Sequence, residues 1–305
     1  MSGSDRDGRG YLAGAAFALA AGTMWSFGGI TVRLAPSSDS WQYLVWRAIG
    51  LLVATEAWSL MRGQGLLLAR FLRGSWIDLV AATALAMAAI TFVFALKATS
   101  IANANFLASI TPLISMMLAL PILGEKLSLV SVAAIGLGIA GLVVMVGGDF
   151  GHGSLLGDLG ALGSSVAFAV YSICVRLDPK RDFTAAIPAC AVIQIVVCAA
   201  VTLSAGRPLV TPPQDMAMAL LHGAVFIGLG IPLFNLAAPR VPAVGLVVLA
   251  QTETVLAPLW GYLFLGETPA VTTLAGGGLI LSGVILTAIA GARSASTGRG
   301  GPVQN

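Results

Sequence analysis

Few residues in this chain could do chemistry, and most lie where lipid would be the expected neighbour. Gln251, Thr252, Glu253 and Thr254 interrupt an apolar run that starts near Val241 and closes on Leu265-Gly266-Glu267. A charged side chain at the centre of a membrane helix costs about 2.5–3.5 kcal/mol on insertion scales, so something must offset the cost of Glu253. A carboxylate there can carry a proton, pair with a cationic substrate group, or serve helix association by hydrogen bonding. Arg47, six residues inside another apolar run, can meet a substrate carboxylate, balance Glu253, or snorkel to the outer interface. Glu56, further along that run, fits snorkelling or helix packing. Trp25 and Tyr171, each followed by Ser, can wall a cavity or pack helices. Asn103, Asn105, Gln194, Asn235 and Gln251 also need partners in lipid, and some are expected to face a water-filled path. Pro112 and Pro258 each remove a backbone donor and are candidate helix breaks; ordinary membrane-helix kinking is the alternative.

The elements that must position these residues are membrane helices. Of 305 residues, 57% are apolar and only 10% charged, against roughly 25% charged in soluble domains. Mean hydropathy is +0.93. Runs of the roughly 20 apolar residues needed to cross a bilayer occur at about 11–31, 41–61, 76–97, 101–123, 127–147, 156–176, 183–205, 216–237, 241–265 and 269–290. The fold class is therefore an all-α integral membrane protein with ten transmembrane helices. The first run is too long for a signal-peptide core and reads as a retained span. Segments 1–10 and 291–305 are expected to be cytoplasmic tails, with the end of the chain, "ARSASTGRGGPVQN", disordered. Assigning loops alternately to two sides puts twelve Lys and Arg on one side and three (Arg33, Lys97 and Arg207) on the other. That bias predicts cytoplasmic termini, in a bacterial inner membrane.

The chain also resembles itself. Leu107–Glu125, "LASITPLISMMLALPILGE", and Leu249–Glu267, "LAQTETVLAPLWGYLFLGE", have equal length, open on Leu-Ala and close on Leu-Gly-Glu. The same offset of 142 pairs Gly136 with Gly278 and Gly141 with Gly283, and an offset of 146 pairs Trp25-Ser26 with Tyr171-Ser172. Five spans per copy is an odd number, so the copies enter the membrane from opposite sides. Inverted five-helix repeats, here 11–147 and 155–290, characterise secondary transporters that bind substrate at the midplane. Pro112 and Pro258 fall one helical turn apart in the aligned copies. Glu253 aligns with Thr111, so the acid breaks the internal symmetry.

With "LPILGEKLS" and "LFLGETPAVTTLAGGGLILSGVIL" as its sharpest elements, the chain resembles the EamA-like branch of the drug/metabolite transporter superfamily over about 11–290. The resemblance implies transport of small organic metabolites, often amino acids or related solutes, and often their export. The motif residues Gly124, Glu125, Gly266 and Glu267 read as structural: each Gly ends a helix, and each Glu suits the start of the next, with Thr268 as cap and Pro269 as first helical residue.

Other functions find little support. "GLGIAG" (Gly136–Gly141) matches a dinucleotide-binding pattern but lies inside a span, where small residues let helices approach. Basic residues form no patch for nucleic acid. His152 and His222 are too far apart to suggest a metal site, and no cofactor is expected. Cys174, Cys190 and Cys198 read as packing residues. A membrane-embedded enzyme acting on lipid-linked substrates would show clustered His, Asp or Glu at one membrane face. A passive channel or scramblase is the other alternative. The expected partners are a small-molecule substrate, protons and the bilayer, and the reading leaves a homodimer open.

Overall fold

The structure, a computed structural model, describes residues 3–124, 129–148, 155–178, 180–237, 240, 241, 249 and 251–297. All regular elements among the described residues are helical. In chain order they are α1 (Gly3–Ser26), α2 (Gly28–Arg33), α3 (Ser40–Met61), α4 (Leu67–Phe71), α5 (Trp76–Ala98), α6 (Ile101–Ala108), α7 (Thr111–Leu123), α8 (Leu129–Gly148) and α9 (Leu155–Leu177). A 3-10 turn (Phe183–Ala185) leads into α10 (Ala186–Ser204), and α11 (Pro213–Leu221) runs through a π-helical turn (His222–Ile227) towards α12 (Gly230–Ala237). The last two are α13 (Thr252–Leu265) and α14 (Val271–Thr297).

Local sequence accounts for the helix ends. Asp39 caps α3 in a reciprocal box with Gln42, and Ser75 with Asp78 does the same for α5, satisfying otherwise orphaned N–H groups. Gly124 and Gly266 end α7 and α13 in the left-handed region, at φ +66° and +68°, where a Cβ would be strained. These are the two Leu-Gly-Glu glycines, so the repeat is visible in backbone conformation.

Seven helices or helix pairs are long and apolar enough to cross a membrane: Tyr11–Arg33, Ser40–Met61, Trp76–Ala98, Ile101–Leu123, Leu155–Leu177, Phe183–Ser204 and Pro213–Ala237. The apolar helices Leu129–Met145 and Val271–Leu286 are shorter. Much of the expected ninth span lies outside the described residues, which include only α13 and a few positions before it. Large apolar side chains face outward, Leu129 and Val271 at 85% and 82% exposure, as lipid-facing residues would.

The most extensive contacts are α5 with α9, α8 with α14, α3 with α10, α3 with the π-turn and α11, and α1 with α12. In the numbering of the expected spans, four of these are 3–6, 5–10, 2–7 and 1–8, a set that a two-fold exchange of five-span copies maps onto itself, and the remaining one, 2–8, has its mate in the contact of α5 with α10, 3–7. Gly141 faces the Gly276 backbone between α8 and α14, so "GLGIAG" sits in a close helix crossing.

Three expectations change. Helix α14 continues to Thr297, past the start of the segment expected to be disordered, because no glycine or proline follows Gly291 until Gly298. At the other end α1 already begins at Gly3. Thr268 and Pro269 lie ahead of α14, which starts at Val271.

Candidate functional site

The fourth span breaks at Ser109–Ile110, between α6 and α7. Pro112, in the first turn of α7, explains the break: it offers no N–H to the Ala108 carbonyl one turn earlier, which accepts from the Thr111 hydroxyl at 2.8 Å instead. In the ninth span α13 begins at Thr252, one residue from the equivalent point, so Glu253 stands in its first turn. Pro258 lies inside that helix, and the start of α13 precedes it by six residues. Helix N-termini carry partial positive charge that stabilises a carboxylate. That term offsets part of the cost of placing Glu253 in a membrane segment. Glu253 is partly buried, and its carboxylate has no hydrogen-bond or ion-pair partner among the described residues. Its neighbours are locally satisfied: Thr254 donates to Gln251 Oε1 at 2.9 Å, and Thr252 donates to the Leu249 carbonyl at 2.6 Å.

Two turns along α13, Trp260 donates from Nε1 to Ser26 Oγ at 2.8 Å. Its ring stacks on Phe27 (5.3 Å, 13°), and Phe27 stacks on Phe226 (5.2 Å, 19°). Phe264 extends the row at 5.9 Å. Trp25 turns to Phe234 of α12 at 5.6 Å. The cluster gathers α1, the α1–α2 joint, the π-turn, α12 and α13. Sequence reasoning found Trp25 but missed Phe27, Phe226 and Trp260. Internal symmetry gives no signal for these, since Trp260 aligns with Leu118 and Phe27 with Ile173.

Other expected site residues are dispersed. Tyr171 contacts Phe168 at 5.6 Å and packs in an apolar cluster with Ile77, Ala81, Cys174 and Phe183, apart from Trp25. Asn103 bonds Asp158 and Thr99, and Asn105 donates to the Ile101 carbonyl at 2.8 Å. Glu56 accepts from the Leu67 and Leu68 amides at 2.9 and 2.8 Å, capping α4 rather than snorkelling. Glu125 lies outside the described residues.

Arg47 is buried on α3. Its one hydrogen bond among the described residues runs from Nη1 to Gln194 Oε1 at 3.1 Å, and its Nε has no partner. Gln194 in turn donates to Cys190 Sγ at 2.9 Å. One turn earlier on α3, Tyr43 bonds Thr31 at 3.0 Å and His222 Nδ1 at 2.9 Å. His222 thus serves a buried polar network, and no metal-binding cluster occurs among the described residues. A Cβ on Gly223 would collide with the Arg47 carbonyl, so the π-turn presses directly on this part of α3.

Polar ties close both ends of the bundle. At one end Glu267 accepts from Arg33 Nε at 2.6 Å and from the Ile101 amide at 2.9 Å, reaching α6 instead of the helix that follows it. There Lys97 donates to the Ala35 and Ser38 carbonyls, Asp215 accepts from the Ser38 amide, and Arg207 pairs with Asp39 at 2.6 Å. Arg33, Lys97 and Arg207, the three cations assigned to one side from sequence, therefore gather at one end. At the other end Arg70 pairs with Asp182 at 2.7 Å and Arg181 with Asp78 at 2.6 Å. Burial pushes the Asp182 carboxyl up, but hydrogen bonds from Thr184 and Arg70 leave it below its usual range. A cavity of about 240 Å³ lies at this end, lined by Thr55, Ser59 and Arg62 of the α3 region, Ile187 of α10, Gly228, and Asn235 of α12.

Comparison with known proteins assigns the class. The EamA-like transporter family matches residues 12–147 and again 155–289. The chain belongs to that family, as a multi-pass membrane transporter. One solved crystal structure, 20% identical, superposes with a TM-score of 0.65 over 92% of this chain and 98% of its own. At that identity the likeness concerns the fold alone. No curated protein matches significantly.

Proposed function

We propose that the protein is a secondary-active transporter of small organic metabolites, amino-acid-like solutes in particular, working by alternating access between inverted repeats 11–147 and 155–290 with ten spans in all. Export is the favoured direction. The setting is a bacterial inner membrane with both termini cytoplasmic, which makes the Arg33 end external and the cavity end internal. No reaction is catalysed and no cofactor is used.

One observation carries this reading: Glu253, a carboxylate with no partner among the described residues, stands in the first turn of the helix that carries Trp260 and Phe264 of the aromatic row. Such a group can exchange a proton or hold a solute ammonium, and flat rings offer a surface to its organic part. As a proton carrier Glu253 must be ionised in one access state and neutral in the other. The test is flux into vesicles containing the purified protein, with solutes found by comparing metabolites inside and outside producing cells. Glu253→Gln should abolish pH-driven net flux while solute exchange persists. Unchanged pH dependence would remove the coupling role.

A further inference from the structure

Arg47 presents an electrostatic problem. A guanidinium stays charged at every accessible pH, and burying a charge is costly unless it is paired and fully hydrogen-bonded. Arg47 is 6% exposed, and among the described residues it has one bond, to a neutral amide, and an Nε that donates to nothing. Among the described residues no ion pair joins it to a carboxylate, and its charged or ionisable neighbours there are Tyr43, Cys190, Cys198 and His222. Segments 238–239, 242–248 and 250 contain no acid, and the acids outside the described residues are Glu125 and Asp149.

The position of Arg47 indicates what could complete it. Elements that line the cavity, α3, α10 and the chain around Gly228, also meet at Arg47. Thr55 is eight residues from Arg47, roughly 12 Å along α3. Ile187 and Gln194, seven residues apart, share one face of α10. Gly228, the residue that follows the π-turn, borders the cavity, and Gly223, near the start of that turn, presses on the Arg47 backbone. Arg47 and Gln194 therefore lie deeper along the interhelical seam that begins at the cavity.

We propose that Arg47 and Gln194 form a carboxylate-binding seat at the deep end of this seam, entered from the cavity and occupied by the carboxylate of the transported solute. A carboxylate has the planar shape and charge to accept from Nε and a terminal nitrogen together. The Gln194 amide fixes the other terminal nitrogen, so the fork is held ready for its ligand. This inference rests on the transporter reading for its occupant, and it makes the solute an organic acid or a zwitterion, never a simple amine.

The test measures binding apart from flux, by the thermal unfolding of the purified protein in nanodiscs. The probes are the twenty L-amino acids, propionate and lactate, with alaninamide, phenylalaninamide, propionamide and sodium chloride as controls. At least one carboxylate should raise the unfolding temperature, and its amide should not. Arg47→Gln should weaken that binding about a hundredfold or more, the scale for truncating one partner of a buried charge pair. Arg47→Gln also removes an unpaired buried charge, so the variant should fold. Gln194→Ala, which keeps the cation, should weaken binding less. Equal affinity of wild type and Arg47→Gln for the carboxylate would overturn the proposal. So would stabilisation by chloride alone, or no stabilisation by any probe acid. Carboxylate binding without flux in vesicles would instead count against the transporter reading, and flux with unaltered Arg47→Gln binding would count against the seat alone.

Discussion

Two helix crossings that the internal repeat makes equivalent are built differently. The fourth span meets the sixth through α6, α7 and α9, and the ninth meets the first through α13, α1 and α2. At the first crossing Ser165, 1% exposed, shares its hydroxyl among the Leu107, Ala108 and Ala161 carbonyls at 3.0–3.3 Å. Small side chains and backbone bonds draw those helices together. At the second, Trp260 and Phe27 stand between the helices, and Glu253 has no partner among the described residues. The repeat makes the two joints equivalent in place, yet one is a close-packed scaffold while the other carries rings and an acid, the residue types suited to receiving a solute.

The largest effect should appear at the close-packed crossing. Ser165→Leu adds bulk where helix backbones touch and removes a buried donor, so it should destabilise by about 1–3 kcal/mol. Thermal unfolding in nanodiscs would report the loss. The fraction that remains folded should bind solute with wild-type affinity. A stable variant with altered affinity would make both crossings part of the path and break the distinction.

Trp260→Ala should do the reverse. Its ring is only partly buried, so stability should change little, while apparent solute affinity should fall about five- to tenfold, the scale of one aromatic contact. Trp25→Ala and Tyr171→Ala sharpen the same contrast, because these aligned residues sit in different surroundings. Trp25, beside Phe234, should affect affinity. Tyr171, packed with Ile77 and Cys174, should affect stability. Wild-type kinetics in both Trp variants would return the aromatic row to packing.

The sequence revealed these regions unevenly, for physical reasons. Hydropathy located the seven segments whose helices are long and apolar enough to cross a membrane, because lipid demands long apolar runs whatever the tertiary contacts. The Leu-Gly-Glu repeat revealed the duplication because the left-handed turn at Gly124 and Gly266 is a local requirement of the backbone. Pro112 marked the break in the fourth span, since a proline near a helix start acts on its immediate neighbours. Pro258 misled about the ninth, because membrane helices tolerate an internal proline and α13 starts earlier. The aromatic row was not legible at all. Phe27, Phe226 and Trp260 come from three distant segments, and only folding brings them together. Glu267 looked like a cap for the next helix, but its partners are Arg33 and α6, which sequence order does not indicate.

The two ends of the bundle give the smallest effects, and there the expected difference is between a tie that gates and one that only decorates. Arg33–Glu267 is about three-quarters buried on each side, whereas Arg207 in the Arg207–Asp39 pair is 57% exposed. Exposed pairs are worth about 0–1 kcal/mol because water and salt screen them and long side chains lose freedom on pairing. Arg207→Gln should therefore leave stability and flux unchanged within error. Glu267→Gln also weakens the hold on Arg33 and on the first turn of α6, so it should loosen this end without unfolding the protein. A Phe27→Cys reporter, in a chain with Cys174, Cys190 and Cys198 replaced, would detect that opening as faster labelling by a membrane-impermeant maleimide from the Arg33 side. Equal labelling in Glu267→Gln and Arg207→Gln would mean that neither pair controls access, and the gate would then have to reside in the helix crossings themselves.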